Sequence, residues 1–306
     1  MLNGIINVYK ESGFTSHDVV AKMRGICGQK KIGHTGTLDP AAVGVLPVCL
    51  GSGTKLCDML ADKDKEYVTE LLLGIVTDTQ DTTGTELESR PVAVSEEEVR
   101  QAIRSFLGAY DQIPPMYSAL KVNGKKLYEL ARSGVEVERK ARRVQILELE
   151  ILEMKLPVVR MRVVCSKGTY IRTLCADIGE KLGCGGVMKS LERTRVGNFR
   201  KEEALTLSQL EKVRDERGLT SVLCPVERVF ENTPRLWVRP EFDRLLQNGN
   251  PIFPDGIAKE EAGTGTDLDH PYAGWVRMCT SRGEFLGIYE YSDQSRKFQP
   301  VKMFIG

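Results

Sequence analysis

The sequence predicts an α+β protein that carries a separate, small β-barrel at its C-terminal end. Strand-like and helix-like segments are mixed along most of the chain without a regular β-α-β rhythm, which disfavours a doubly wound parallel sheet. Beyond residue 230 the pattern changes to short β-rich segments separated by Gly, Asn and Pro turn signals. We therefore expect a first domain over residues 1–232 and a second over 233–306.

The individual elements are marked by capping residues and by the spacing of apolar side chains. The predicted strands of the first domain are 66–74, 144–154 and 158–165. The first predicted helix covers 17–27, with Ser16 as N-cap and an end near Gly28. The second begins with the capping box of Ser95 and Glu98 and is stopped by Gly108. The third has Leu174, Ile178 and Leu182 on one face and stops at Gly183.

The composition is that of a soluble globular protein with a hydrophobic core. The chain has 306 residues, of which 41% are hydrophobic and 28% charged. No apolar run reaches the ~20 residues that a membrane span requires. The eight cysteines include no C-x-x-C pair, which argues against a zinc site and against a disulfide framework. We expect a cytoplasmic protein with reduced thiols, no metal site and no membrane partner.

Basic residues are concentrated in two segments, although the formal net charge is only +1. Segment 121–143 has eight Lys or Arg against three Glu, and segment 160–201 has ten Lys or Arg against three Asp or Glu. This distribution is compatible with a site for a polyanion. It is equally compatible with two solvated faces, and charge alone does not decide between them.

Residues 33–51, GHTGTLDPAAVGVLPVCLG, surround a single carboxylate with Gly, Thr and Pro. The Gly-Thr-Gly-Thr run exposes backbone N–H groups, Pro40 keeps Asp39 out of helical conformation, and the apolar residues that follow anchor the loop. Such a loop holds a carboxylate at the rim of a packed scaffold, as covalent or acid–base chemistry requires. For the tripeptide LDP alone, a turn in which Asp39 only bonds nearby N–H groups is the simpler interpretation.

The longer stretch closely resembles the signature of the TruB family, the tRNA pseudouridine synthases that act on uridine 55 of the T loop. The C-terminal GEFLGIYEY and QPVKMF resemble the PUA domain, a small RNA-binding barrel that ends the bacterial members. Further stretches resemble the family in the same order and extend the resemblance over nearly the whole chain: KESGFTSHD (10–18), KEYVTELLLGIVTDTQDTTG (65–84), PPMYSALKVNGKKLYELARSG (114–134), CSKGTYIRTLCADIG (165–179) and LERTRVGNF (191–199).

The resemblance implies a pseudouridine synthase fold, in which helices flank a mixed, largely antiparallel sheet, followed by a PUA-like barrel. It implies that a basic insertion at about 114–150 closes over the T loop, so that the partner is tRNA, bound through its T stem-loop. Pseudouridine formation involves no redox step and no group transfer, so no cofactor is expected. The uridine must leave its base stack to reach the site.

By the resemblance, Asp39 is the nucleophilic aspartate and Arg172 is its partner, which can contact it bidentately. Tyr67 is the family's tyrosine that stacks on the uracil and takes part in proton removal from C5. Because the pocket excludes water, we expect a cation to hold the pKa of Asp39 down. The sequence leaves open whether Asp39 attacks C1′, adds to C6 or assists a glycal route.

Four further residues match family positions that contact the substrate, namely His34, Tyr170, Leu191 and Lys10. The resemblance implies that His34 contacts the RNA near the flipped base, that Tyr170 and Leu191 line the uridine pocket, and that Lys10 supports the site. The family pattern has Lys-Pro where this chain has Lys10 followed by Glu11. The departure concerns the local turn and leaves the carboxylate unaffected.

Two other functions compete with a stand-alone enzyme. The chain could be a guide-RNA-dependent synthase of the same superfamily, or an RNA-binding folding chaperone for which catalysis is dispensable. The long insertion favours the stand-alone enzyme, because guided relatives obtain substrate recognition from their RNA. Asp39 together with Arg172 argues against a purely non-catalytic protein, although a chaperone role beside catalysis stays open. We expect a monomer that needs no protein partner.

Overall fold

The computed structural model describes residues 1–122, 124–261 and 274–305 of the chain. In these ranges the helices are α1 (Ser16–Cys27), α2 (Cys57–Ala61), α3 (Glu96–Arg104), α4 (Leu127–Arg132), α5 (Ile171–Lys181), α6 (Leu207–Glu216) and α7 (Asp243–Gln247). The strands are β1 (Gly4–Lys10), β2 (Ile32–His34), β3 (Val43–Leu50), β4 (Lys65–Leu73), β5 (Ile75–Thr77), β6 (Glu86–Ser89), β7 (Gly108–Gln112), β8 (Lys121–Val122), β9 (Lys125–Lys126), β10 (Arg142–Lys155), β11 (Val158–Cys165), β12 (Gly186–Val196), β13 (Phe199–Arg200), β14 (Arg235–Val238), β15 (Ile257–Glu261), β16 (Trp275–Cys279), β17 (Phe285–Ser292) and β18 (Lys297–Met303).

Nine strands form the main sheet, in the order β1-β3-β12-β4-β11-β10-β7, with β2 paired to β3 and β13 paired to β12. Strands β3 and β12 are parallel, and the other pairs of this sheet are antiparallel. The predicted α+β class, with a mixed and largely antiparallel sheet, is confirmed. The three predicted strands correspond to β4, β10 and β11, with ends that differ by two residues at most.

The helix boundaries differ from the prediction in two places. Helix α1 ends at Gly28 in the left-handed conformation, as expected, but its N-cap is Thr15, which forms a capping box with Asp18. The prediction of Ser16 as the cap is wrong by one residue, because the Ser16 hydroxyl bonds a loop instead. The capping box of α3 is confirmed, and this helix ends at Arg104, four residues before Gly108.

Two apolar cores cover different parts of the main sheet. Helices α3 and α5 pack against β4 and β11 in one core, whose buried side chains include Leu174 and Ile178 of α5. Helices α1 and α6 pack against β1 and β3 in the other. Packing on the main sheet therefore holds two segments in place. One is the loop between β2 and β3, and the other is the first turn of α5.

The C-terminal segment forms a sheet of its own, with five strands in the order β15-β14-β16-β17-β18. This agrees with the small β unit predicted beyond residue 230, while the boundary between residues 232 and 233 stays a prediction. Ile288 and Phe304 of this unit share a core with Ile5 and Val45 of the main sheet. In the part of the chain that the structure describes, no helix is both long and apolar enough to span a membrane.

Candidate active site

Asp39 lies in the loop that joins β2 to β3, two paired strands of the main sheet. The loop is closed by its own backbone, because the N–H of Ala42 donates to the Asp39 carbonyl at 3.1 Å. Ser16 Oγ accepts from the N–H of Leu38 at 2.9 Å, which fastens the loop to the first turn of α1. The Asp39 side chain is 37% exposed, so its carboxylate stands at the rim of the sheet.

Arg172, the second residue of α5, contacts both carboxylate oxygens of Asp39. Its Nε lies 3.0 Å from Oδ2, and its Nη2 donates to Oδ1 at 3.4 Å. The Arg172 side chain is only 6% exposed. A two-point contact of this kind fixes the direction of the carboxylate as well as balancing its charge.

The same guanidinium also bonds two other segments of the chain. Nη1 donates to the Thr79 carbonyl at 3.0 Å and lies 3.9 Å from Asp81 Oδ2, while Nη2 donates to the Tyr117 carbonyl at 2.7 Å. Thr79 and Asp81 belong to the turn after β5, and Tyr117 belongs to the predicted insertion. Arg172 thus connects Asp39 to both of these segments.

The pKa of the Asp39 carboxyl is raised above its ordinary value because the surrounding protein withdraws much of the group from water, although part of the side chain stays exposed. Arg172 and Lys10 act in the opposite direction, and the nearby Asp81 adds to the increase. Arg172 therefore lowers the pKa of Asp39, as expected, but burial outweighs this attraction and the net shift is upward. A carboxylate with a raised pKa is a stronger base once it is ionised.

Asp81 is a site residue that the sequence reasoning missed. Its Oδ1 accepts from the hydroxyl of Thr79 at 2.7 Å and from the hydroxyl of Thr83 at 2.6 Å, so the carboxylate is held within its own turn. The signal was present in the stretch TDTQDTTG, where Asp and Thr alternate directly after a strand. That pattern is typical of a turn closed by side-chain hydrogen bonds, and it does not reveal what the turn faces.

Lys10, at the end of β1, is fully buried beneath the Asp39 loop. Its Nζ donates to the carbonyls of Pro40, Ala42 and Glu11, and burial lowers its pKa to about 8. The structure therefore shows Lys10 supporting the loop, and a direct contact with substrate stays a prediction. Because the bond to residue 11 uses the backbone oxygen, Glu11 supplies it as well as proline would.

Tyr67 and Arg193 are direct partners across β4 and β12, so their side chains lie next to each other on one face of the sheet. Both are buried, with exposed fractions of 8% and 1%. Burial raises the pKa of the Tyr67 phenol, and Arg193 opposes that effect. Arg193 was not predicted, although it lies in the stretch LERTRVGNF, because nothing in the sequence indicates which residue faces it across the sheet.

His34 stands at the start of the Asp39 loop, where its Nδ1 accepts from the N–H of Gly36 at 3.3 Å. Its ring meets that of His17 edge to face, with 5.5 Å between the ring centroids. Burial lowers the pKa of His34, and the neighbouring His17 adds to this. The ring is therefore neutral near pH 7, and because Nδ1 accepts, its proton is on Nε2.

Tyr170 directly precedes α5, and Leu191 lies on β12. The backbone N–H and carbonyl of Tyr170 both bond the side chain of Gln112, at 2.8 and 3.0 Å, which fixes the residue ahead of α5. Leu191, on β12, is partly buried against the core. Burial raises the pKa of the Tyr170 phenol.

A cavity of about 420 Å³ opens beside Asp39, and of the predicted site residues only Asp39 and Leu191 line it. Its other lining residues are Ala41, Ala42, Val43, Val68, Glu70, Asp81, Thr82, Thr83, Arg160, Met188, Lys189, Ser190 and Glu192. A larger groove, of about 1,270 Å³, adjoins β13 and Trp275 and includes none of the predicted site residues. Within the described ranges, no three His, Cys, Asp or Glu side chains are grouped to bind a metal ion.

Comparison with protein families matches two consecutive regions of the chain. Residues 24–171 match the N-terminal domain of the TruB family pseudouridylate synthases, and residues 172–231 match the C-terminal domain of tRNA pseudouridylate synthase B. The first region ends at Ile171 and the second begins at Arg172, so the Asp39–Arg172 contact joins the two matched regions.

Individual proteins match over almost the full chain. A tRNA pseudouridine synthase B of Lachnoclostridium phytofermentans is 52% identical over 312 residues, which cover 99% of this chain and 100% of that protein. One of Clostridium perfringens is 43% identical over 302 residues, covering 98% and 99% respectively.

Two solved structures share the fold at lower identity. One is an H/ACA RNP bound to a substrate RNA that contains 2′-deoxyuridine, with 28% identity and a TM-score of 0.72 over 99% of this chain and 85% of that chain. The other is a Cbf5-Nop10-Gar1 complex, with 30% identity and a TM-score of 0.72 over 98% and 84%.

Proposed function

The chain belongs to the TruB family of pseudouridylate synthases, and from that premise we propose that it converts uridine 55 in the T loop of tRNA to pseudouridine. The observation that supports this most directly is the contact of Arg172 with both oxygens of Asp39 beside a cavity of about 420 Å³. This arrangement provides one oriented carboxylate on a rigid scaffold, with room for a base beside it.

The reaction breaks the C1′–N1 bond, turns the uracil and forms a C1′–C5 bond. The carbon C5 loses a proton and N1 gains one, so the isomerisation consumes nothing. In our proposal Asp39 is the carboxylate that acts on the sugar or the base, and it must be ionised to do so. Its partly exposed side chain and its raised pKa both favour reaction over a purely structural ion pair.

Arg172 orients the carboxylate and stabilises its ionised form. Because Nη2 also bonds the carbonyl of Tyr117, the guanidinium cannot rotate away from Asp39 without losing that bond. We assign Tyr67, Tyr170 and Leu191 to the uridine, and of these three Leu191 lines the cavity beside Asp39. His34, neutral and protonated on Nε2, serves as a hydrogen-bond donor to the RNA.

The insertion and the second basic segment serve RNA binding in this proposal. Lys125, Lys140 and Arg142 are exposed, and exposed cations bind phosphates through charge. We propose that the chain acts on tRNA in the cytoplasm as a monomer, without a protein partner.

The test is single-turnover pseudouridine formation by the purified chain alone on an unmodified T-stem-loop RNA. We expect product from the wild type and none from Asp39→Asn, with equal RNA affinity for both proteins. Asp293→Asn, which changes an exposed aspartate in the turn between β17 and β18, is the control and should react normally. Product from Asp39→Asn at the wild-type rate would overturn the assignment of the carboxylate.

The likeness to a solved H/ACA RNP makes a guide-dependent synthase the second candidate. The same assay separates the two, because a guided enzyme needs a second RNA before any product forms. A chaperone function is tested in cells that lack the wild-type protein. If Asp39→Asn restored every phenotype there, RNA folding rather than catalysis would be the important activity.

A further inference from the structure

Among the described residues, Arg193 is the largest side chain that is almost fully buried, and it lies on β12, an inner strand of the main sheet. On one side of β12 it faces Tyr67 of β4, and on the other it is in register with Gly44 of the parallel strand β3. A Cβ at Gly44, where φ is +112°, would lie 2.2 Å from the Arg193 carbonyl. The close approach of β3 to β12 therefore requires glycine at this position.

The guanidinium of Arg193 bonds both flanks of the Asp39 loop. Its Nε donates to the Val45 carbonyl at 2.7 Å, and its Nη2 donates to the Gly36 carbonyl at 3.1 Å. Among the residues that the structure describes, none forms an ion pair with it at up to 4.0 Å. A buried cation without a carboxylate is costly, so its neutral acceptors must all be well placed. Tyr67, its partner in register on β4, is buried beside it and carries a hydroxyl that can accept a further hydrogen bond.

We propose that Arg193 is a positioning residue that fixes the direction of the Tyr67 hydroxyl and ties it to the Asp39 loop. A guanidinium can only donate hydrogen bonds, so in this proposal the Tyr67 oxygen accepts from it. The proton of the phenol then points away from Arg193. One planar group with five N–H donors thereby sets the distance between Tyr67 and the loop that carries Asp39.

The cation also changes the energetics of the Tyr67 oxygen. Burial raises the pKa of this phenol, and the positive charge of Arg193 lowers it, which makes negative charge on the oxygen less unfavourable. This inference rests on the role proposed for Tyr67. It predicts that a change at Arg193 slows the chemical step by way of the Tyr67 phenol. A purely structural arginine would affect the rate whether or not the phenol is present.

The experiment is a double-mutant cycle on the single-turnover rate at saturating T-stem-loop RNA. Arg193→Lys retains the charge but cannot reach the three acceptors, and we expect it to slow the reaction by on the order of 10²-fold. In a Tyr67→Phe background, the same substitution should slow the reaction by less than about 3-fold. Equal fold-changes in both backgrounds would overturn the inference, because Arg193 would then act independently of the phenol.

Arg193→Gln is a second variant for the same cycle, since it removes the buried charge and retains an N–H donor. RNA affinity and the unfolding midpoint are measured for each protein, and only folded variants that bind RNA enter the cycle. Arg90→Lys, which changes an arginine paired with Glu88 and Glu180 at the surface, is the control. If Tyr67→Phe alone reacts normally, the proposed role of Tyr67 fails. If it is slow and the cycle shows no coupling, only the inference fails.

Discussion

The main sheet and the insertion both carry many basic side chains, but they hold them in opposite ways. In the sheet region, Lys10, Arg172 and Arg193 are buried, and each donates to two or more backbone carbonyls. In the insertion, Lys125 and Lys140 are exposed to solvent. The same kind of charge therefore fixes geometry in one region and is free to meet a ligand in the other.

The difference follows from what water does to a charge. A buried cation loses its hydration and is tolerated only where fixed acceptors replace it, so its position is well defined. An exposed cation keeps its hydration, and its interactions weaken as salt is added. We therefore expect substitutions in the sheet region to change the rate of the chemical step, and substitutions in the insertion to change RNA affinity.

The largest effect is expected for Arg172→Lys. A single ammonium cannot contact both oxygens of Asp39 and also reach the carbonyls of Thr79 and Tyr117, so the carboxylate loses its orientation. The single-turnover rate should fall by on the order of 10³-fold, as for other fixed donors in active sites, while RNA affinity changes far less. Arg90→Lys is the matched control, because Arg90 also has two acceptors but lies at the surface. If Arg172→Lys lost RNA affinity tenfold and kept the wild-type single-turnover rate, the expected difference between the sheet region and the insertion would be contradicted.

A smaller effect, on binding alone, is expected when Lys125 and Lys140 are both changed to Gln. Each lysine that contacts a phosphate contributes about one to the slope of log affinity against log salt concentration, so the slope should become shallower by up to about two. The rate at saturating RNA should remain that of the wild type. The control is Lys212→Gln on α6, another exposed lysine. An unchanged slope would show that these two side chains do not meet the RNA backbone.

The smallest effect is expected from Asp81→Asn, in the pH dependence of the single-turnover rate. The negative charge of Asp81 raises the pKa of Asp39, so its removal lowers that pKa. Because the ionised form of Asp39 reacts, the rate falls as the pH falls through this pKa, and the fall should move to lower pH in the variant. Asp78→Asn, in the same turn, should leave the profile unchanged. A shift to higher pH would contradict the electrostatic account.

Local features of the molecule could be predicted from the sequence. The capping box at Ser95 depends on neighbouring residues, and the spacing of Leu174 and Ile178 on α5 is a property of one helix. The Asp39 loop could be singled out because its glycines and its proline act on the local backbone. The cap of α1 was placed one residue late because Thr15 and Ser16 are both good caps, and the contact of Ser16 with Leu38 decides between them.

Features that depend on which strands pair could not be predicted. Tyr67 faces Arg193 only because β4 and β12 are neighbours in this register, and a shift of one residue would turn the side chains to opposite faces. The position of Asp81 near Arg172 depends in the same way on where the turn after β5 packs. The raised pKa of Asp39 is a balance between burial and several charges, and sequence spacing does not give the depth of burial.

The use of backbone oxygens as acceptors has a consequence for how the gene can vary. The carbonyls that receive hydrogen bonds from Lys10, Arg172 and Arg193 belong to residues 11, 36, 40, 42, 45, 79 and 117. A codon change at these positions replaces a side chain but leaves the oxygen in place, provided that the backbone path is kept. Codon changes at the three donors remove the bonds directly. Natural variation should therefore accumulate at several of the acceptor codons, as the glutamate at position 11 illustrates, while the donor codons tolerate almost none.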